Sequence, residues 1–414
     1  MSANHRVVIT GTGAVTPLGP NVSETWQNLL RGKSGITKIT AFDVSEFPSQ
    51  IAGFVRDFAP ENYMEAKEAR RMARFAQFSM AATQMAIQDA GLDLAHEDAT
   101  RVGMEIASAI GAVDLIEDQG RILYTQGVRR LNPVLIPSVI VNAASCQPAI
   151  LLGIKGPTNS PAAACASGIY AIGQALRHLQ RGDVDVMLAG GTDSAMSPLA
   201  IAAFGRLGAL SRRNDDPERA CCPFDADRDG TVISEGAAVV VMETLEHAQG
   251  RNARVLAEVV GFAATEDAYH LVAPEPNGDG AARAICQSLA DAAMSPEEVD
   301  YVVTHGTGTP LNDISETHAI KRAFGDHAYR LLASSNKSML GHMLGAAGAI
   351  STVVAVMAMR EGIIPPTINL EKPDPECDLD YVPLQPRVAT INTAMINAFG
   401  FGGQNAVLIV RRYG

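Results

Sequence analysis

The chain has 414 residues, more than a single hydrophobic core accommodates, so two domains or two halves with room for a large core are expected. Apolar residues make up 47% and charged residues 19%, which excludes a disordered chain. The 33 Lys and Arg against 45 Asp and Glu leave a net charge of −12, which speaks against bulk nucleic-acid binding but allows an acidic partner to dock on a local basic cluster.

The opening MSANHRVVIT lacks the apolar core of a signal peptide, and GAAVVVM and VVAVMAM are too short to span a bilayer. A cytoplasmic protein without membrane contact is therefore expected. RVVIT (6–10) reads as the first strand. The GTGAVTPLG that follows resembles a dinucleotide-binding turn, but its sixth position is Thr16 where glycine is required, and no acidic residue follows at the right distance. That argues against a nicotinamide-dependent oxidoreductase. AKEARRMARFAQFSMAATQMAIQDAG (66–91) has helical spacing up to a stop at Gly91. DVMLAGG (185–191), AAVVVMETL (237–245), RVLAEVVGF (254–262), YVVTHG (301–306), LLASS (331–335) and AVLIVRR (406–412) are further strands, several of them apolar without alternation, as strands buried on both faces are. GAARAICQSLADAAM (280–294) and SETHAIKRAFG (315–325) are helices between them. The alternation predicts α/β layers, and a second β-α succession starting near residue 252 divides the chain into halves 1–251 and 252–414.

The six cysteines, Cys146, Cys165, Cys221, Cys222, Cys286 and Cys377, show no C-x-x-C spacing and read as reduced thiols. Cys165 stands apart, because TNSPAAACASGIY surrounds it with the smallest side chains available. A small buried thiol is one explanation. Its position is another: an extended stretch ends there, and Ile169, Ile172, Leu176 and Leu179 begin a helix that stops at Gly182. The positive end of that helix is expected to lower the thiol pKa, while small neighbours let a bulky acyl group approach. His305 in VTHGTGTPLND and His342 in SSNKSMLGHMLGAAG each sit at a strand end in a Gly-rich turn open to substrate.

AAACASG, HGTGTPLND, NKSMLGHMLGAAG and FGFGGQN, in this order, resemble the signatures of the elongating β-ketoacyl-acyl carrier protein synthases, most closely the synthase II type. PFDADRDGTVISEGA and DAYHLVAPEPNGDGA extend the resemblance over about residues 5 to 410. It implies a thiolase-like α/β fold, two duplicated halves in a five-layered αβαβα sandwich, usually a homodimer. The implied reaction is a decarboxylative condensation of acyl- and malonyl-loaded acyl carrier protein in fatty acid elongation, without metal or soluble cofactor. A specialised polyketide-type ketosynthase would use the same machinery, whereas non-catalytic chain-length partners lack the nucleophile.

By resemblance Cys165 carries the acyl group, His305 and His342 stabilise the malonyl-derived enolate, and the backbone N–H groups of Cys165 and Phe401 form the oxyanion hole. Lys337 is implied to lie buried beside the histidines, held by Glu316, which shares a helix face with Asp313. Thr307 and Thr309 match positions that bind pantetheine, Phe401 matches a gating side chain, and Phe204, Phe399, Leu135 and Ile110 match the acyl pocket, with Ile110 at its far end. Departures from the pattern are Ser351 for a Glu, Gln404 and Val272 for Thr, and Val134 and Leu135 where Phe is frequent. Lys67, Arg70, Arg71 and Arg74, with Arg129 and Arg130, form a basic cluster in an acidic protein, which the resemblance makes the docking patch for the acidic carrier.

Overall fold

In this computed structural model, which describes residues 4–414, the apolar runs become strands of one ten-stranded sheet. The strands are β1 (Val7–Val15), β2 (Val102–Ala107), β3 (Thr158–Asn159), β4 (Val186–Asp193), β5 (Gly236–Thr244), β6 (Ala257–Glu266), β7 (Tyr301–Val303), β8 (Leu332–Ser334), β9 (Thr393–Gly400) and β10 (Gln404–Arg411). Their spatial order is β8-β7-β9-β10-β6-β1-β5-β4-β2-β3. Read outward from the seam between β1 and β6, the order in the first half is 1-5-4-2-3 and in the second 6-10-9-7-8, the same path with five added to each strand number. The seam is only three residue pairs long, Val7–Ile9 against Ala257–Val259.

Seven helices define the remaining layers: α1 (Arg74–Ala90), α2 (Val113–Gln126), α3 (Ser167–Arg181), α4 (Pro198–Leu207), α5 (Asp279–Asp291), α6 (Pro310–Phe324) and α7 (Ala347–Glu361). Helix α1 covers β1 and β5 from outside, and α5 covers β6 and β10 with α6 packed against it. Between the two halves of the sheet lie α3 and α7, which touch one another and contact strands of both halves. The result is five layers, αβαβα. The run Leu344–Glu361 is long and apolar enough to cross a membrane, but 89% of it is buried, as the central layer requires. Helix α3 has only an inward apolar stripe, whereas every α7 residue from Ala347 to Met359 is buried.

All seven strands anticipated from the sequence are present, and β2, β3 and β9 are additional. The expected helix over 66–91 is broken. Residues Ala66–Ala69 form one turn, the chain turns at 70–73, and α1 starts at Arg74 behind an extended Ala73. The break follows from Arg74, whose guanidinium grips the fully buried Glu235 with two hydrogen bonds of 2.8 Å and donates to the Val55 carbonyl at 2.9 Å. Arg74 therefore leaves the basic cluster expected on this segment.

Glu243 at the end of β5 anchors a polar knot. It accepts from Thr10, from His247 Nδ1 at 2.6 Å and from Arg251 at 2.6 Å, while His247 Nε2 reaches Glu97 at 3.0 Å. Burial alone would push the Glu243 carboxyl up, yet hydrogen bonds from Arg251, His247 and Thr10 hold it at about 2. The Glu243 hydrogen bond raises the pKa of His247 against the opposing effect of burial, with Glu97 adding to the rise. The depressed carboxyl stabilises the fold above its unfolded value of 4.5 and loses that contribution as pH falls toward 2. The raised imidazole stabilises it below 6.5 and loses that contribution as pH rises through its folded pKa. Thermal midpoints of wild type and His247→Gln, measured from pH 4 to 9, are therefore expected to differ most between pH 5 and 6 and to converge toward pH 9. A pH-independent difference would contradict the role given to this knot.

Candidate active site

Cys165 lies in the turn that leads into α3, beside the N-terminus of that helix. Ala164 before it adopts φ +47°, a left-handed conformation that costs an alanine roughly 1–2 kcal/mol. Local hydrogen bonds hold the turn: Ser167 Oγ donates to the Ala164 carbonyl at 2.6 Å and accepts from Ala163 N–H at 2.8 Å. The backbone N–H groups of Phe401 and of Cys165 itself act on the thiol and lower its pKa. The expected low thiol pKa is not found. Burial pushes the thiol up to about 12, with Lys337 pulling it down, Asp193 adding to the rise, and the Phe401 and Cys165 N–H groups offering weaker relief. Loss of solvation outweighs the helix end in a site this closed.

His305 follows β7 and His342 follows the short helix Lys337–Leu340. Both line one cavity with Cys165, and their rings meet edge to face with centroids 5.5 Å apart. Burial, reinforced by the Lys337 charge, holds both imidazoles well below the ordinary histidine value, and His342 lowers His305 further. They are neutral near pH 7. The Leu344 N–H points at His342 Nδ1 at 3.3 Å, which assigns Nδ1 as acceptor and leaves the proton on Nε2. Leu344 makes this contact from φ +48°, a second strained residue beside a reactive group. His342 N–H in turn donates to the Val232 carbonyl at 2.7 Å, and its carbonyl accepts from Ser234 at 2.9 Å.

Lys337 is buried and its Nζ donates to the His305 carbonyl at 2.6 Å. Burial lowers its pKa against the pull of Glu316. The expected direct pairing of Lys337 with Glu316 is absent. Glu316 instead accepts the N–H groups of His305 at 2.8 Å and Gly306 at 2.7 Å, and the Asn397 amide at 3.1 Å, so it anchors the backbone of the His305 turn. Burial raises this carboxyl to about 7 against those donors. Asp313 acts similarly one turn earlier, accepting from Phe224 N–H at 2.8 Å and Gly308 N–H at 3.3 Å. Ser351, at the position where a Glu was anticipated, accepts from Asn336 at 3.1 Å.

The cavity is also lined by Phe204, Val272, Pro274, Thr307, Thr309, Asn312, Phe399 and Phe401, and the Thr307 and Thr309 hydroxyls lie 2.9 Å apart. Phe401 is half-buried on a loop whose Gly402 and Gly403 both have φ +84°, a pair of conformations that only glycine adopts without strain. Ile110 does not line this cavity; it packs into the apolar cluster that contains Cys165 and Phe204. Leu135 is part of neither the cavity lining nor that cluster; it is half-buried on the short helix Leu135–Val139 beside the exposed Val134 and Ile136. Asp193, Asn397 and Asn405 were not anticipated. For Asp193 a signal existed, a lone carboxylate closing the wholly apolar and small-residue run of β4.

Comparison with known proteins agrees with this geometry. Residues 4–248 match the β-ketoacyl synthase N-terminal domain and residues 256–371 its C-terminal domain. The 3-oxoacyl-[acyl-carrier-protein] synthase 2 of Coxiella burnetii is 50% identical over 408 residues, covering 99% of both chains. The Synechocystis protein of the same name is 49% identical, covering 99% of this chain and 98% of the relative. Among solved structures, a type II polyketide ketosynthase in complex with its acyl-carrier protein superposes with a TM-score of 0.92 at 36% identity, covering 99% of this chain and 100% of that one. The fold is thiolase-like. The chain belongs to the β-ketoacyl synthase family.

Two outcomes test the site. Cys165→Ala is expected to keep the wild-type thermal midpoint, since alanine fits a turn already built of small residues, and to show no acyl adduct by intact mass. His305→Ala and His342→Ala are expected to slow malonyl decarboxylation about 10²–10³-fold while acylation of Cys165 changes little, as loss of an oxyanion donor does. Release of CO2 and acyl-enzyme mass, followed separately, distinguish the two half-reactions.

Proposed function

We propose that this protein condenses an acyl-acyl carrier protein with malonyl-acyl carrier protein to give 3-oxoacyl-acyl carrier protein and CO2, in fatty acid chain elongation. The observation that carries the reading is a buried thiol at the start of a helix, sharing one cavity with two neutral imidazoles. In the first half-reaction Sγ attacks the acyl thioester, and its proton ends on the departing pantetheine thiol. A thiol near 12 holds roughly one part in 10⁵ as thiolate at pH 7, so the proton leaves as the attack proceeds rather than beforehand. In the second, the malonyl C–CO2 bond breaks and its electron pair forms an enolate. His305 and His342 stabilise the enolate oxygen. Neutral imidazoles suit this task, because they donate a hydrogen bond without supplying the proton that would quench the carbanion. The enolate carbon then attacks the Cys165 thioester, the oxyanion rests on the Cys165 and Phe401 N–H groups, and Sγ leaves and is reprotonated.

Elongation is favoured over a polyketide-type reaction because the synthase 2 relatives stand at 49–50% identity over nearly the whole chain, against 36% for the polyketide enzyme. The division into halves at 251/252 is supported by the repeated strand order and by the strand seam at 257–259. A homodimer in the cytoplasm fits the same reading. Supporting it, Tyr124, Val128, Ile136 and Ile150 are more than two-thirds exposed, and the helix of Ile150 packs against the edge strand β3, whose outer side is open and would be covered by a second copy.

Carrier docking is assigned to Lys67, Arg70, Arg71, Arg129 and Arg130, all exposed. Among the described residues only Arg71 of these has an ion-pair partner, Glu68 at 3.4 Å. The Ser138 hydroxyl donates to the Arg71 carbonyl at 2.9 Å, linking this segment to the short helix that follows Arg129 and Arg130. Arg70→Glu with Arg71→Glu is expected to raise KM for carrier-bound substrates and weaken its salt dependence, while free pantetheine thioesters react as before. Equal loss with both substrate forms would refute the docking assignment. Ile110 lies outside the cavity but in the apolar cluster that holds Cys165 and Phe204, so if long acyl chains extend into that cluster, Ile110→Phe blocks them while short ones still load Cys165 in an acylation assay across a chain-length ladder; parallel loss at every length would show that Ile110 serves only the core.

A further inference from the structure

Asp193 is a completely buried carboxylate that the condensation does not use directly, and it joins the two halves of the site. It closes β4 in the first half. Its Oδ1 accepts from Ser108 Oγ at 2.6 Å, and its Oδ2 accepts from Ala109 N–H at 2.9 Å and from Gly345 N–H at 2.6 Å. Ser108 Oγ in turn accepts from Gly111 N–H at 2.9 Å, so the whole 108–111 turn is held from this one point.

The second-half contact is the informative one. Gly345 follows Leu344, the residue in a left-handed conformation whose N–H fixes His342 Nδ1. A strained turn persists only where its surroundings over-determine it. Asp193 supplies that constraint from the other half of the molecule, and at the N-terminal end of the 344–361 helical run its negative charge is favourably placed.

We propose that Asp193 is a positioning residue for the second half-reaction: through Gly345 it holds the Leu344 turn that orients the His342 ring, and through the 108–110 turn it sets that ring in register with the acyl side of the site. It does not touch the reacting atoms. Asparagine in its place offers only one acceptor oxygen, and its NH2 group faces N–H donors, so the turn loosens without loss of side-chain volume. The inference rests on His342 acting on the malonyl group.

The test follows the two half-reactions separately, with hexanoyl- and malonyl-acyl carrier protein as substrates. Asp193→Asn is expected to slow malonyl decarboxylation by about tenfold or more while acylation of Cys165 changes less than about threefold. The ¹⁵N resonance of His342 Nδ1 is expected to move toward that of a ring nitrogen without a donor. Ser108→Ala, which removes one donor to the carboxylate, is expected to act in the same direction and more weakly, and it decides the matter if Asp193→Asn does not fold. Parallel loss in both half-reactions, or unchanged decarboxylation, would overturn the proposal. His342→Ala serves as the control: if it too leaves decarboxylation intact, the role of His342 is what fails; if it abolishes decarboxylation while both other variants are normal, only the role of Asp193 fails.

Discussion

Everything in the site depends on how closely the N-terminal ends of α3 and α7 approach in the central layer. A Cβ at Gly168 would stand 2.6 Å from the Gly345 carbonyl oxygen, closer than side-chain atoms come. Glycine there lets the two helix starts touch backbone to backbone. One start carries Cys165 and the other follows His342, so a contact less than one side chain thick places the nucleophile of one half against the imidazole of the other. The strand order repeated in each half then explains why the helices are equivalent in position although their chemistry differs.

Burial sets the electrostatics of this meeting point. The thiol, both imidazoles and the ammonium of Lys337 are all driven toward their uncharged forms, and the Cys165 thiol and the Glu316 carboxyl are raised by the same cause. Carboxylates are tolerated only where backbone N–H groups converge on them, as at Glu316 and Asp193. A single positive charge, on Lys337, biases its neighbours: it opposes the rise of the thiol and deepens the depression of both histidines. Such a site favours chemistry in which charge appears only when substrate arrives, which suits an enolate that water would destroy.

Much of this was legible in the residues. Strands such as β4 and β5 are apolar on both faces because helices cover both, and that produces runs without alternation. The small residues around Cys165 and the Gly-rich settings of both histidines expressed the crowding directly. Long-range pairings were illegible. Arg74 breaks a helix because Glu235 lies 161 positions away, and nothing local to 66–91 carries that information. The resemblance made Glu316 the holder of Lys337, whereas its oxygens serve the backbone, which has no sequence signature of its own. The thiol pKa went the wrong way for a related reason: a helix end can be read from spacing, but the depth of burial that overrides it arises only when both halves pack.

The three-residue seam between β1 and β6 has a bearing on how the chain is made. Synthesis proceeds from the N-terminus, so β1 through β5 and the helices around them emerge before residue 257 exists to pair with β1. During that interval the face of α3 turned toward the later helix α7 has nothing to cover it, and the β1 edge that β6 will occupy is open. The nascent first half thus carries an open apolar face and an open strand edge, both prone to aggregation, while nearly two-fifths of the chain is still to be translated.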